Sequence, residues 1–266
     1  MEKKIRLDQL LVQQGLAESR EKARAVIMSG EVFVNGQRLD KPGTNVPQDS
    51  VPELRGTSLR YVSRGGLKLE KALQVFPIDP AGRICLDCGA STGGFTDVLL
   101  QNGAAKVYSV DVGYGQLAWK LRQDPRVVNI ERTNLRYLNR EQVPESISLA
   151  VMDVSFISIR LILPAVKPFL EDGADFVCLI KPQFEAGRSQ VGKKGVVRDP
   201  AVHERVIEEC LESAVNDGYT VHGLDYSPIR GPEGNIEFLC YLKNGGLPGS
   251  YPAPAEVTAA AHREKL

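Results

Sequence analysis

The chain has 266 residues, of which 42% are hydrophobic and 25% are charged, as is ordinary for a globular protein of one large domain or two. Lysine plus arginine and aspartate plus glutamate both number 33, so the net charge is zero and any basic surface for nucleic acid must be local. No apolar run of about 20 residues predicts a membrane span. Five scattered cysteines, and an N-terminus without a secretory apolar segment, favour a reducing cytoplasm.

Residues 6–54 have the pattern of a small independent module. Leucines at helical spacing predict a first helix that ends at Gly15. Ser19 is a good N-cap for a second helix, which Gly30 ends. The Asn-Gly pair at 35–36, after alternating valines, predicts a β-hairpin, and two further short strands are expected beyond it.

The order of residue types in this module resembles the S4 RNA-binding domain, from Arg6-Leu7-Asp8 through Ser19-Arg20 to the hairpin. In that family the second helix and the hairpin present a basic face to structured RNA. Without the resemblance, the same charges are more typical of solvated helix faces. The resemblance implies salt-dependent phosphate contacts, largely blind to sequence, from Arg6, Arg20, Lys22, Arg24 and Lys41.

Beyond this module a basic linker leads to a helix predicted over residues 67–76, and strands then alternate with helices. The predicted strands are 83–87, 106–111, 127–131, 147–153, 175–181, 219–226 and 236–242. The predicted helices are roughly 94–102, 114–123, 160–170 and 200–217, with a short one near 138–143. Continuous apolar strands suit a parallel sheet covered on both faces. The last two strands leave no room for a helix between them, so we expect an antiparallel hairpin there.

This pattern predicts an α/β fold: a Rossmann-like, seven-stranded methyltransferase domain preceded by a small α+β S4 domain. The expected boundaries are 1–58 for the S4 domain, 59–66 for the linker, 67–246 for the methyltransferase domain and 247–266 for a Pro-rich tether and tail. Residues 255–266 have the composition of a short amphipathic helix.

A strand, a glycine-rich turn and the start of a helix follow one another between Leu86 and Asp97. Glycines let the backbone approach a ligand closely, and the free N–H groups of the helix start face it. About 20 residues later a second strand ends in a carboxylate placed to accept hydrogen bonds from a ribose. The candidate cofactor-binding residues are Asp87, Gly89, Ala90, Ser91, Gly93, Gly94, Phe95, Asp111 and Val112.

Three nucleoside cofactors compete for this turn. A P-loop ends in Gly-Lys-Ser/Thr, and Gly93-Gly94-Phe95 lacks the lysine. A dinucleotide site needs the spacing Gly-x-Gly-x-x-Gly, which residues 89–94 do not have. It would also place the carboxylate of Asp87 unfavourably close to the phosphates. S-adenosylmethionine has no phosphate and carries cationic sulfonium and ammonium groups, so an acid at the turn is favourable and this cofactor is predicted. The nearby C-x-x-C pair, Cys85 and Cys88, has no second pair, and no metal site is predicted.

Ligands of an open α/β sheet sit outside the carboxyl ends of its strands. The fourth strand ends at Asp153 and the fifth at Lys181, while Glu237 opens the last hairpin and Lys68 lies on the helix before the first strand. Two lysines and two carboxylates beside a methyl donor suggest deprotonation of a weakly acidic hydroxyl, such as a ribose 2′-hydroxyl. Each of these residues alone is more typical of an ion pair in solvent.

The expected roles follow from charge. Lys181 is the candidate general base, and its pKa would have to be depressed, which Lys68 favours and Asp153 opposes. Asp153 and Glu237 hold the lysines in place, and Lys68 stabilises the developing alkoxide.

This constellation resembles the Lys-Asp-Lys-Glu tetrad of RNA 2′-O-ribose methyltransferases of the FtsJ/RrmJ type. With an S4 domain in front, the chain resembles the hemolysin A (TlyA) family over nearly all of residues 5–243. The resemblance implies S-adenosylmethionine-dependent 2′-O-methylation of cytidine in 23S and/or 16S ribosomal RNA, within ribosomal subunits. The oligomeric state and the choice of subunit are not indicated by the sequence.

Other hypotheses remain open. Residues 153–156, Asp-Val-Ser-Phe, also resemble the acid-x-x-aromatic motif with which amino-group methyltransferases clamp a flipped base, although that motif usually contains prolines. The chain is also compatible with a non-catalytic RNA-binding or ribosome-assembly factor. Membrane lysis, which the family's name suggests, finds no span, signal or evident membrane helix in the sequence.

Beyond the S4 domain, the expected RNA contacts come from the linker and from a glycine-containing loop after Lys181. We expect this loop, residues 184–198, to form a mobile basic lid over the RNA, although an ordinary surface loop would have a similar composition. The basic residues concerned are Arg64, Arg188, Lys193, Lys194 and Arg198.

Overall fold

The computed structural model describes residues 4–54, 60–192, 194–231 and 233–264. The chain divides into two compact units, Met1–Arg64 and Gly65–Leu266. The boundary at residue 58 that we expected from the sequence lies outside the described residues, as does Lys193 of the basic loop.

Within its described residues, 4–54 and 60–64, the N-terminal unit packs two helices and five short strands around one small core. Strand β1 pairs with β4, and β2 lies between β3 and β5, all antiparallel. The first of these strands was not expected from the sequence. The elements are β1 (Lys4–Arg6), α1 (Leu7–Gln13), α2 (Arg20–Met28), β2 (Val32–Val34), β3 (Gln37–Arg38), β4 (Asn45–Pro47) and β5 (Pro52–Leu54).

Local signals in this unit act as expected. The hydroxyl of Ser19 accepts a hydrogen bond from the backbone N–H of Lys22 at 3.2 Å and so caps α2. Asn35 and Gly36 have φ of 52° and 76°, the left-handed conformation that a tight hairpin turn requires. The predicted cap and hairpin are confirmed.

The C-terminal unit is built on one seven-stranded sheet in the order β11-β12-β10-β9-β6-β7-β8. Strand β12 is antiparallel to both of its neighbours, and the other pairs are parallel. All seven predicted strands are confirmed, with the antiparallel hairpin at the end. The elements are α3 (Gly66–Val75), β6 (Ile84–Cys88), α4 (Gly94–Gln101), β7 (Lys106–Val110), α5 (Trp119–Arg122), β8 (Val127–Ile130), β9 (Ile147–Met152), α6 (Leu163–Val166), β10 (Leu170–Ile180), α7 (Pro182–Glu185), α8 (Pro200–Asn216), β11 (Tyr219–Tyr226), β12 (Phe238–Asn244) and α9 (Pro254–Arg263).

Three of the predicted helices are wrong in extent or position. The helix expected over 114–123 is only α5, because Gly115 has φ of 70° and the chain before it turns. The helix expected over 160–170 is broken into short pieces, since a proline fits only at the first turn of a helix, and Pro164 and Pro168 each begin a new piece. Near 138–143 there is no helix, but a 3₁₀ turn lies at Leu135–Tyr137.

The C-terminal tail forms the amphipathic helix α9. It is packed against the sheet and α8 through buried Val257 and Ala261, so the expected helix is confirmed. None of the helices in the described part of the chain is long and apolar enough to cross a membrane.

The topology brings the ends of several strands to one edge of the sheet. Because β6, β7, β9 and β10 are parallel, their carboxyl ends share this edge. Strand β12 runs the other way, and Ile180 of β10 lies opposite Phe238 of β12. The residue that follows β10, Lys181, and the residue that precedes β12, Glu237, therefore lie at the same edge.

Candidate active site

Four charged side chains meet at this edge. The ammonium of Lys68 donates to Oδ2 of Asp153 at 3.1 Å and lies 2.7 Å from Oε2 of Glu237. The ammonium of Lys181 lies 2.6 Å from Oδ1 of the same aspartate. The four predicted catalytic residues thus form one chain of contacts, Glu237–Lys68–Asp153–Lys181. Three of them adjoin strand ends, whereas Lys68 lies on a helix 85 positions before Asp153.

Burial makes these contacts strong. Lys68, Lys181 and Glu237 are buried, and Asp153 is nearly so. Burial raises the pKa of Asp153, but the facing ammonium groups of Lys68 and Lys181 outweigh it and hold that pKa below its usual value. Burial likewise lowers the pKa of Lys68, but Asp153 and Glu237 outweigh it, and the pKa of Lys68 is raised. Lys68 therefore stays charged and Asp153 stays ionised at neutral pH.

The two lysines differ in their other contacts. Lys68 lies between two carboxylates, whereas Lys181 faces one carboxylate and donates a second hydrogen bond, of 3.0 Å, to the hydroxyl of Ser155. The side-chain amide of Gln183 donates to Oε1 of Glu237 at 3.4 Å. Ser155 and Gln183, each two positions after a tetrad residue, were not predicted as site residues. Serine and glutamine do not indicate a site by their residue type alone.

A cavity of about 430 Å³ opens beside the tetrad, and Asp153 lines it. Of the predicted cofactor-binding residues, Gly89, Ser91, Asp111 and Val112 also line the cavity. The remaining residues of its wall were not among the predicted cofactor-binding residues. They are Val110, Gln116, Thr133, Asn134, Leu135, Val154, Ser155, Phe156, Ile157 and Ile162.

The glycine-rich turn shapes the floor of this cavity. Gly89 has φ of 85°, and a Cβ there would lie 3.1 Å from Cγ1 of Val154 and 3.2 Å from the carbonyl oxygen of Asp153. Only glycine combines this backbone conformation with such a close approach. Asp111 holds the turn from the next strand, because its carboxylate accepts hydrogen bonds from the backbone N–H groups of Ser91 at 2.8 Å and Gly113 at 2.7 Å.

The other predicted cofactor residues lie behind the cavity and do not line it. Ala90, Gly93, Gly94 and Phe95 are buried in the turn and in the first residues of α4. Gly93 has φ of 94°, and a Cβ there would lie 2.2 Å from Cδ1 of Leu121. These residues position the turn rather than form the cavity wall.

Asp87 is fully buried beneath the turn. Its Oδ2 accepts a hydrogen bond from the hydroxyl of Thr96 at 2.6 Å, and its Oδ1 has no hydrogen-bond donor among the described residues. Burial raises the pKa of Asp87 to about 7, opposed by the Thr96 hydrogen bond. A buried carboxylate with one unused oxygen, close to the cavity floor, fits a cationic cofactor and would repel a phosphate.

Phe156 stands at the rim of the cavity. Its side chain is 91% exposed, its φ is 65°, and its ring lies 5.1 Å from the ring of Phe184. A positive φ is unfavourable for a bulky side chain, so the surrounding loop must hold it there. The ring is available to a planar partner outside the cavity.

The predicted RNA-binding residues have different surroundings in the two units. In the N-terminal unit, Arg6 and Arg20 each pair at 3.0 Å with buried Asp8, so both contribute to the fold, although their side chains stay 41% and 55% exposed. Lys22 pairs with Glu18 on the same helix. The remaining predicted residues that are described are exposed: Arg24, Lys41, Arg64, Arg188, Lys194 and Arg198.

The N-terminal and C-terminal parts of the chain match different families of known proteins. Residues 61–244 match the family described as FtsJ-like methyltransferase, and residues 5–51 match the S4 domain. A candidate rRNA methyltransferase of Bacillus subtilis, YqxC, is 56% identical over 90% of this chain and 86% of its own length. The 16S/23S rRNA (cytidine-2′-O)-methyltransferase TlyA of Mycobacterium tuberculosis is 47% identical over 91% of each chain. The solved structure of a candidate hemolysin from Streptococcus thermophilus is 51% identical, with a TM-score of 0.78 over 99% of this chain and 98% of that one.

Proposed function

Because the chain belongs to the FtsJ-like methyltransferase family, within its hemolysin A (TlyA) group and with an S4 domain in front, we propose that it methylates the ribose 2′-hydroxyl of a cytidine in ribosomal RNA. The methyl donor is S-adenosylmethionine, and the catalytic residues are Lys68, Asp153, Lys181 and Glu237.

One observation carries this proposal: the tetrad and the cavity share Asp153. The same carboxylate lines the cavity and contacts both lysines, at 3.1 Å and 2.6 Å. A hydroxyl placed between the cavity and Lys181 would therefore meet a proton acceptor and a fixed cation at the point of methyl transfer.

The roles follow from the contacts of each lysine. Lys68 lies between two carboxylates that raise its pKa, so it remains charged and stabilises the oxygen as that oxygen loses its proton. Lys181, with one carboxylate and a hydroxyl as neighbours, is the group that takes the proton from the 2′-hydroxyl. Asp153 orients both ammonium groups, and Glu237 orients Lys68.

The cofactor pocket fits S-adenosylmethionine on the chemistry of its donor set. That cofactor supplies a methyl group on a cationic sulfur. Asp87, with its unused buried oxygen, offers charge complementarity beneath Gly89, and Asp111 is placed to accept hydrogen bonds from a ribose. Val112, Thr133 and Asn134 would enclose the nucleoside end of the cavity.

Ribosomal RNA as substrate is supported by the S4 domain and by the rRNA methyltransferase activity after which the Mycobacterium tuberculosis relative is named. The exposed basic side chains of both units offer phosphate contacts, and Phe156 offers a stacking surface for a base near the tetrad. Which ribosomal subunit is methylated, the large or the small, is determined by testing both.

The test is methyl transfer from labelled S-adenosylmethionine to purified 50S and 30S subunits, followed by digestion of the RNA to nucleosides. The proposal expects label in 2′-O-methylcytidine from at least one subunit. A protein that binds the cofactor and labels neither subunit would refute it.

Methylation of a base amino group is the second candidate, favoured by residues 153–156 and by the exposed ring of Phe156. In amino-group methyltransferases the acid of this motif must be able to accept the substrate's amino group. Here both carboxylate oxygens of Asp153 contact lysines, which argues against that role. The nucleoside digest separates the two candidates, because base methylation would place the label in a base-methylated nucleoside instead of a 2′-O-methylated one.

A non-catalytic assembly role would leave the cavity in place but not need the tetrad. Replacing Lys181 by alanine would then preserve the growth and ribosome profile of cells that depend on this protein. Under the proposed function the same variant loses the modification.

A further inference from the structure

Asn235 lies two residues before Glu237 and is almost fully buried, at 2% exposure. Its side-chain oxygen accepts a hydrogen bond from the backbone N–H of Val197 at 3.0 Å, and its side-chain nitrogen donates to the carbonyl oxygen of Gly195 at 2.9 Å. Both halves of the amide are therefore used by the backbone of one other loop. A buried amide that pairs twice in this way acts as a clip between two segments.

The segment at the other end of the clip is the basic loop. Gly192 donates its backbone N–H to the carbonyl of Val196 at 3.1 Å, and Gly195 donates to Gly192 at 2.8 Å, so the loop makes a tight turn at this point. Val196 and Val197 are buried, while Lys194 is exposed. The cationic part of the loop is thus presented outward from an anchored base.

The segment that carries Asn235 also holds Glu237. The backbone N–H of Gly231 donates to the carbonyl of Asn235 at 2.9 Å, which closes the turn before β12. A Cβ at Gly231 would lie 2.7 Å from Oε1 of Glu237, so this turn packs directly on the catalytic carboxylate. The carboxylate in turn lies 2.7 Å from the ammonium of Lys68.

We propose that Asn235 is a positioning residue that joins the basic loop to the turn before β12, so that RNA bound by the loop and the carboxylate of Glu237 are held in one fixed arrangement. The inference rests on the proposed function, since it gives the loop an RNA phosphate partner and Glu237 a role in methyl transfer. Asn235 itself does not line the cavity, and its side-chain amide bonds to Val197 and Gly195 rather than to a tetrad residue.

The chain offers a matched control at the opposite end of β12. Asn244 is also buried, and its side-chain nitrogen donates to the carbonyl oxygens of Leu170 and Glu171 at 3.3 Å and 3.0 Å. Asn244→Ala therefore removes a comparable amide clip far from the tetrad. Asn235→Asp serves as a second variant, because it keeps the acceptor for Val197 while it replaces the donor to Gly195 by an oxygen that repels the Gly195 carbonyl.

The experiment measures kcat and KM for methyl transfer to whichever ribosomal subunit the full-length wild-type protein labels, the Kd of S-adenosylmethionine by calorimetry, and Tm. For Asn235→Ala we expect kcat to fall about tenfold or more, because small displacements of catalytic groups are that costly, with a higher KM for the subunit and an unchanged cofactor Kd. Asn235→Asp should show the same pattern. Asn244→Ala should lower Tm and leave kcat unchanged.

Trypsin cleavage gives a readout that does not depend on activity. Asn235→Ala and Asn235→Asp should be cut faster after Lys194 and Arg198 than the wild type, and Asn244→Ala should not. An unchanged kcat in both Asn235 variants, an equal loss of kcat in Asn244→Ala, or a rise in KM alone would overturn the inference. A wild-type protein that labels neither subunit would instead refute the proposed function, and the proteolysis would still report whether the clip exists.

Discussion

Lys68 and Lys181 are residues of the same type with different neighbours, and the proposed roles rest on this difference. Replacing Lys181 by arginine keeps a positive charge beside Asp153 and removes the ability to accept a proton, because a guanidinium stays protonated. We expect the single-turnover rate of methyl transfer to fall by about 10²–10⁴-fold, the range typical of a lost general base, with the Kd of the cofactor unchanged.

Lys71→Arg is the matched control for this substitution, since Lys71 is another partly buried lysine of the same unit and pairs with Asp225 at 3.0 Å outside the tetrad. It should keep the wild-type rate. If Lys181→Arg also kept the wild-type rate, Lys181 would not be the base.

Asp87 predicts a pH dependence of cofactor binding. Burial raises its pKa to about 7, so its neutral form dominates below that pH and its ionised form above. A cationic cofactor favours the ionised form, and the affinity for S-adenosylmethionine should therefore increase between about pH 6 and pH 8. Asp87→Asn keeps the shape without the charge, so its affinity should be weaker and should lack this increase. Calorimetric titrations at both pH values measure the difference, and equal slopes in the two proteins would contradict this role.

The single residues that the sequence could reveal are those in a recognisable position. Asp153, Lys181 and Glu237 adjoin strands whose ends share one edge, so their meeting was predictable from topology. Ser155, Gln183 and Asn235 were not, because their roles depend on one hydrogen bond each or on a loop far away in the sequence. Asp87 was expected to line the cofactor site, whereas it lies buried below it with one oxygen unused.

Among the secondary-structure elements, the C-terminal helix α9 is joined to α8 by a hydrogen bond between two histidines, one on each helix. His203 is fully buried, and its Nε2–H donates to the carbonyl of Val197 at 3.2 Å, which leaves Nδ1 to accept from Nε2 of His262 at 2.9 Å. Burial, followed by the nearby His262, lowers the pKa of His203 to about 4, with Asp199 opposing and Arg230 adding to the shift. His203 is therefore neutral in the folded protein.

This histidine should make the protein less stable in mild acid. The unfolded chain takes up a proton on His203 at about pH 6.5, and the folded chain only at about pH 4, so the contribution is complete above pH 6.5 and is lost as the pH falls towards 4. The full loss is of the order of 3 kcal/mol. Urea unfolding of the wild type and of His203→Gln at pH 7.5 and pH 5 tests this, and the wild type should show the steeper decline. Equal slopes for the wild type and His203→Gln would contradict the assignment.

Elements were predictable where periodicity and end signals agreed. The long helix α8 begins at a proline after Asp199, whose side chain accepts from the backbone N–H of Ala201 at 3.0 Å, and it was expected almost residue for residue. The prediction of one helix over 160–170 was wrong because it followed the helical spacing of the apolar residues and ignored the two prolines that interrupt the helix. The helix expected over 114–123 is too long because the chain between β7 and α5 turns instead. The carboxylate of Asp111 accepts a hydrogen bond from the N–H of Gly113 and stabilises this turn, which no periodicity reveals.

Under the proposed function, the N-terminal unit binds RNA and the C-terminal unit carries out methyl transfer. Arg24 and Lys41 are exposed on the N-terminal unit, whereas Arg6 and Arg20 also hold buried Asp8 and so cannot be removed without affecting the fold. We expect Arg24→Ala combined with Lys41→Ala to weaken binding to ribosomal subunits and to reduce the slope of log affinity against log salt by up to about 2. The rate at saturating subunit and the cofactor Kd should stay at wild-type values; an unchanged salt slope would show that these side chains do not contact phosphates.

The most direct test of the account is the chemical position of the transferred methyl group. Ribosomal subunits from cells that lack this protein are incubated with the purified chain and labelled S-adenosylmethionine, and the RNA is digested to nucleosides and analysed by mass spectrometry. We expect label in 2′-O-methylcytidine with wild-type protein and labelling at least about 10²-fold slower with Lys181→Arg. Label on a base, or equal labelling by wild type and Lys181→Arg, would contradict it.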